Sequence, residues 1–131
     1  MQYLQEPFFN DLRTQQQLGY VVFSRPVNTR DVIGAQFLVQ SPTRSCQYQA
    51  HSINEFLVQM KAKVEQLSES EFETQRQAVL VKLQEKDISL SKQHARHWTE
   101  IQTHKYTFDR QQQEIAELSD VSLADFKSHF L

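Results

Sequence analysis

Apolar residues recur along this chain at two different periods, and the change of period divides it into parts. Met1, Leu4, Phe8 and Leu12 repeat at helical spacing, which predicts an opening helix that Gly19 ends and that Pro7 kinks or restarts. Tyr20-Val21-Val22-Phe23 is then β-branched and aromatic, and Ile33, Ala35, Phe37 and Val39 alternate with more polar neighbours. These two runs predict an antiparallel hairpin, with Pro26 to Asp31 between them. From Ile53 onward, Phe56, Leu57, Met60, Val64 and Leu67 form a one-sided stripe, so a helix is expected as far as about Gln66.

Polar residues set the later boundaries. Ser68 and Glu71 stand in capping-box spacing between Leu67 and Phe72, so a new helix starts at once and is expected to pack on the previous one as a helical hairpin. Asp109 with Gln112, and Ser122 with Asp125 between Val121 and Phe126, repeat the signal and predict two further short helices. Leu90 to Thr103, around Trp98 and Ile101, is another helical stretch. The two glycines and three prolines all precede Thr43, which confines turn chemistry to the first third of the chain.

The expected class is α+β, an antiparallel β-hairpin from a larger sheet packed against several α-helices. Two extended runs are too few for a self-sufficient sheet. The chain also stops at Leu131 inside a helical pattern, with no Gly or Asn cap. Residues 1–131 therefore read as a single partial domain.

An apolar share of 39% in 131 residues, with nine Phe, suffices for one core. The near balance of 14 basic against 16 acidic residues leaves no broad field for nucleic acid or an anionic membrane surface. No apolar run approaches the roughly 20 residues needed to cross a bilayer. The first ten residues also lack the basic start and apolar stretch of a secretory signal. The single cysteine, Cys46, cannot close an internal disulfide, so a reducing, cytoplasmic setting is expected.

Three groups of residues invite a chemical reading. His94, His97 and Glu100 share a helix, but helical zinc motifs need histidines at i and i+4 with the glutamate between them. Here the histidines are at i and i+3 and Glu100 lies outside them, which favours two partly wet histidines beside a packed Trp98. Cys46 lacks any nucleophile signature and reads as a small buried or loop thiol. The third group is Arg13 and Tyr20, where a helix gives way to a strand. A charged fork of donors and a hydroxyl at a strand entry suit the main chain of a bound extended peptide. The plainer alternative has Arg13 paired with Glu6 or Asp11 and Tyr20 simply packed.

Glu6-Pro7-Phe8-Phe9-Asn10-Asp11-Leu12-Arg13-Thr14, followed by Gln17-Leu18-Gly19-Tyr20, resembles the insulysin branch of the pitrilysin metallopeptidase family. The likeness continues through Ser68-Glu69-Ser70-Glu71-Phe72, Trp98-Thr99-Glu100-Ile101 and Tyr106-Thr107-Phe108-Asp109-Arg110, and so covers essentially the whole chain. It implies a four-domain peptidase folded as two bowl-like halves around a chamber, with this stretch in the last, zinc-free domain. The family's HxxEH zinc motif is absent from the sequence. The resemblance therefore implies zinc in the parent enzyme but no cofactor in this chain, and no activity without the N-terminal catalytic half of the same polypeptide. It also places the family's substrate-binding arginine and tyrosine on Arg13 and Tyr20, which would orient peptides such as insulin-like substrates. A degenerate paralogue used as a protein-binding or assembly subunit is the alternative, and a helical adaptor is a third. Open strand edges on the isolated chain are expected to favour a homodimer.

Overall fold

The computed structural model describes residues 1–30 and 32–130. Six α-helices and one antiparallel pair of strands succeed one another as α1 (Gln2–Phe9), a π-helical turn (Asn10–Gln15), β1 (Val21–Thr29), β2 (Val32–Gln40), α2 (Cys46–Glu65), α3 (Glu69–Gln84), α4 (Leu90–Gln102), α5 (Arg110–Asp120) and α6 (Leu123–Phe130). The class is α+β, as the two periods predict. The chain forms two compact units, Met1–Leu67 with Phe130, and Ser68–His129.

The first unit is organised around Phe8. Its ring lies 5.2 Å from Phe37 of β2 and 5.2 Å from Phe56 of α2, both in tilted or edge-on geometry. Leu4, Leu12, Leu18, Val22 and Met60 complete the buried cluster, so the opening stripe, the hairpin and α2 share one core. Burial of a side chain such as Phe8 is worth about 1.5–3 kcal/mol. The helix runs through Pro7, which sits inside α1. Proline removes a helical donor there without stopping the chain.

The strands pair from Val21↔Gln40 to Thr29↔Val32, so the hairpin is longer and its connection tighter than expected. Pro26 is a strand residue opposite Ala35. A proline is tolerated on an edge strand, and β1 pairs only with β2 among the described residues. Of the expected connection Pro26–Asp31, Asp31 lies outside the described residues. α2 starts earlier than its apolar stripe because Ser45 accepts a hydrogen bond from the Tyr48 N–H at 3.3 Å and caps it.

In the second unit Ser68 and Glu71 form the capping box that opens α3. Arg76 ties α3 to the end of α5, donating from Nη1 to the carbonyls of Ser119 and Val121 at 3.0 Å each. The Phe72 and Phe126 rings lie 5.6 Å apart. Ser122 and Asp125 cap α6 reciprocally, with the Ser122 N–H donating to Asp125 Oδ2 at 3.1 Å and the Asp125 N–H to Ser122 Oγ at 3.2 Å. Asp109 precedes α5 but makes no cap bond; its carboxylate instead accepts from Gln113 Nε2. Leu131, the last residue of the expected helical pattern, lies outside the described residues.

Candidate functional site

Arg13 and Tyr20 are brought together by an unusual helix ending. After Phe9 the helix widens into the π-helical turn, where Gln16 N–H donates to Asp11 O at 2.9 Å. π turns are rare insertions that often accompany functional sites. Gln17 then adopts a left-handed conformation at φ 51°, and Leu18 N–H reaches back to Leu12 O at 3.0 Å. The turn expected at Gly19 is thus made by Gln17, and Gly19 has no positive φ. Gly19 is needed for a different reason. A Cβ there would stand 1.8 Å from Gln40 O, because the backbone leaving the helix presses against the end of β2.

This route lays Tyr20 against Arg13. The guanidinium carbon is 4.7 Å from the Tyr20 ring centre and 5.8 Å from that of Phe9. Arg13 Nη1 donates to Gly19 O at 2.7 Å. The alternative partners drop out: Asp11 accepts from Gln16 Nε2, and Arg13 forms no ion pair among the described residues. Tyr20 is not packed away, since 82% of its surface is exposed. Its hydroxyl, like Nε and Nη2 of Arg13, has no hydrogen-bond partner among the described residues. These groups, with Phe9, Thr14, Gln17 and Gly19, line an open depression of about 640 Å³. It offers a fixed positive charge and a hydroxyl donor beside aromatic faces, a combination that suits carbonyl acceptors.

The other candidates come out differently. Glu100 is buried at 6% exposure and committed to structure. Its oxygens take Arg110 Nε at 2.5 Å, Arg110 Nη2 at 2.8 Å and the Thr107 N–H at 3.2 Å. The Arg110 hydrogen bond above all holds its carboxyl below the usual glutamate range, against the opposing effect of burial. His94 stacks on Trp98 at 6.1 Å and His97 meets Phe108 edge-on at 5.7 Å, while Trp98 is half exposed rather than packed. No group of three His, Cys, Asp or Glu side chains among the described residues could hold a metal ion. Cys46 is neither buried nor in a loop: it is exposed at the first position of α2. No helix among the described residues is long and apolar enough to cross a membrane.

A family model described as PQQ synthase PqqF-like, C-terminal lobe domain 4, matches residues 1–98. The chain belongs to that family. The chain is 36% identical over 124 residues to the insulin-degrading enzyme of Homo sapiens, covering 95% of itself and 12% of that relative. With nardilysin of Rattus norvegicus it shares 38% over 133 residues, 98% of the chain and 11% of the relative. A crystal structure of pitrilysin superposes with a TM-score of 0.85 at 25% identity, over 98% of the chain and 14% of that structure's chain. The chain thus spans about 12% of the length of the curated relatives it matches, and its resemblance to the insulysin branch extends along nearly all of its own length.

Arg13 and Tyr20 stand out in the sequence as residue types, but what holds them together does not. A π turn and a left-handed Gln17 have no compositional signature, and Gly19 carries a signal that reads equally as a helix end. Phe9 lies within the matching segment, four residues before Arg13, a helical spacing that makes the two neighbours.

Proposed function

We propose that this chain is the substrate-facing fourth-domain part of a zinc metalloendopeptidase of the insulysin kind, in which Arg13 and Tyr20 hold the backbone of a bound peptide. The observation that carries the reading is the pairing of an exposed Tyr20 with an Arg13 whose guanidinium is fixed yet keeps donors unused. Arg13 Nε and Nη2 and the Tyr20 hydroxyl donate to peptide carbonyl oxygens, fix the extended main chain and hold the scissile carbonyl in place. Such groups contribute to rate by orientation and by stabilising developing charge, not by proton transfer. Zinc would supply the hydrolytic chemistry when bound. In this reading the zinc is held by the N-terminal catalytic half of the same polypeptide, and the chain by itself does not cleave peptides. Relatives named insulin-degrading enzyme support insulin-like peptides as the substrate class. An exposed, lone Cys46 suits a reducing, cytoplasmic setting.

The test is peptide hydrolysis by the full-length parent protein with zinc, comparing wild type, Arg13→Ala and Tyr20→Phe after equal folding is established. Loss of a charge-assisted hydrogen bond in Arg13→Ala, about 1.5–3 kcal/mol, lowers kcat/KM roughly 10- to 150-fold, and loss of the neutral hydroxyl bond in Tyr20→Phe, about 0.5–1.5 kcal/mol, roughly 2- to 12-fold. Unchanged kinetics in both variants reduce the pair to packing. A wild type that binds but does not cleave points to a non-catalytic assembly subunit.

A further inference from the structure

The hairpin continues well past the core that carries it. Residues directly opposite across an antiparallel pair point to the same side, so Val22 with Val39, Ser24 with Phe37, Pro26 with Ala35, and Asn28 with Ile33 share one face. The first half of that face is covered by α1 and α2. Val22 and Ser24 are buried at 4% and 6%, Phe37 and Val39 pack against the cluster that holds Leu4, Phe8, Phe56 and Met60, and Gln5 Nε2 donates to Ser24 O at 3.3 Å. The second half has no cover in the first unit. Pro26, Asn28 and Ala35 are exposed, and Ile33 is 77% exposed. The ladder nevertheless keeps its register to Thr29↔Val32, roughly 16 Å beyond Ser24 at about 3.3 Å per residue.

A two-stranded ribbon is marginal in water when nothing packs on it. Here the core-facing side stays apolar past its cover, because Pro26, Ala35 and Ile33 extend the row that Val22, Val39 and Phe37 begin. The opposite side mixes Arg25, Gln36 and Thr29 with its apolar residues, and Arg25 Nε donates to Gln36 Oε1 at 2.6 Å. We infer that the distal patch of Pro26, Ala35 and Ile33 seats another segment of the same, longer polypeptide, which continues the layer of α1 and α2 outward along the hairpin. Two observations select that occupant. The chain makes up 12% of the insulin-degrading enzyme it matches, so a polypeptide of that kind has ample chain outside these residues. The patch is also small: three side chains offer about 200–300 Å², short of the roughly 500 Å² per partner at which a specific interface between independent proteins begins. A tethered segment needs less area, because its effective concentration reaches the millimolar range. The inference rests on the proposed function only in treating the chain as part of a longer protein.

The experiment uses the full-length parent protein. Ile33 and Val32 are neighbours of similar exposure, 77% and 71%, on opposite faces of the hairpin. Each is replaced in turn by cysteine, and the rate of maleimide labelling at that position is read by mass spectrometry. Ile33→Cys is expected to label at least roughly ten-fold more slowly than Val32→Cys, the protection of a site that opens only locally. A photo-cross-linking residue at Ala35 is expected to join residues outside 1–131 of the same molecule, with a yield independent of protein concentration. Equal labelling at the two positions, fast or slow, overturns the inference. So does an adduct within residues 1–131, or one between two molecules, which would mark a second copy as the occupant. Amide exchange of the unsubstituted protein covers the case in which a variant fails to fold. Amides of 32–35 should exchange within roughly ten-fold of those of 37–40, and a distal half more than about 100-fold faster also overturns the inference. None of these readouts needs catalysis, so hydrolysis that ignores Arg13→Ala and Tyr20→Phe sinks the proposed site without touching this result.

Discussion

Replacing Gly19 by alanine places a methyl carbon 1.8 Å from Gln40 O, 2.8 Å from Gln40 C and 3.1 Å from Ser41 Cα. All three are backbone atoms, so no side-chain rotation relieves the collision and the helix exit must move away from the end of β2. Overpacking costs typically 1–3 kcal/mol and sometimes more. Rigid neighbours put this case at about 2–4 kcal/mol even after the smaller entropic benefit that Gly→Ala confers through the unfolded chain. Gly34→Ala is the matched control in the same hairpin, since its Cβ would meet only Val27 Cγ2 at an ordinary 3.6 Å. That change should be neutral or stabilising by up to about 1 kcal/mol. Amide hydrogen exchange resolves the difference locally. Peptides covering 20–24 and 36–40 should exchange roughly 30- to 700-fold faster in Gly19→Ala, with about 1.4 kcal/mol per decade. The same peptides should be unaffected or slower in Gly34→Ala, and α4 peptides should serve as an unchanged reference. Equal protection in the two variants would refute the close-approach argument.

Two further outcomes test the second unit. Glu100→Gln should destabilise the protein most at neutral pH, because a native carboxyl held below its ordinary value contributes stability above about pH 5. That contribution is lost as pH falls through the lowered native value, so the gap between wild type and variant in urea titrations should narrow steadily towards pH 3, and a gap constant with pH would refute it. Ser68→Ala removes a cap whose Oγ lies 3.4 Å from the Glu71 N–H and 2.6 Å from Glu71 Oε2. It should cost about 1 kcal/mol, read as faster exchange confined to the first turn of α3, while Ser68→Asp should retain most of the protection.

The features legible in the sequence are those whose physics is local. The Ser68/Glu71 and Ser122/Asp125 boxes appear where their spacing places them, because a cap is decided within four residues. Asp109 had the same spacing and made no cap, since its carboxylate turned to Gln113. The hairpin was readable from alternation, but Pro26 disguised the length of β1: a proline breaks a central strand and is tolerated on an edge, and the sequence does not state which applies. The first turns of α2 are not legible in the sequence because Cys46 to Ala50 show no apolar stripe, and Ser45 alone marks the start. At the candidate site the residue types were readable and the geometry was not. Arg13 and Tyr20 are seven positions apart, and what joins them is a widened turn plus a left-handed Gln17, neither of which a hydrophobic pattern encodes.

The π-helical turn also bears on how the segment accommodates insertions and deletions. Leu4, Phe8 and Leu12 are spaced four apart, a step that overshoots a 3.6-residue α turn and falls short of the wider π turn. Running one kind of turn into the other cancels the drift, and all three side chains end buried in the same cluster. A one-residue deletion between Phe9 and Gln15 would let an ordinary α-helix form, with better hydrogen bonds and no exposed break. It would also draw the helix exit back by about 1.5 Å of rise and remove the Gln16 N–H to Asp11 O closure that leads into the left-handed Gln17. The region would then keep its helix and its hydrophobic content while losing the path that lays Tyr20 against Arg13, so the residue count of the widened turn and the placement of the pair go together.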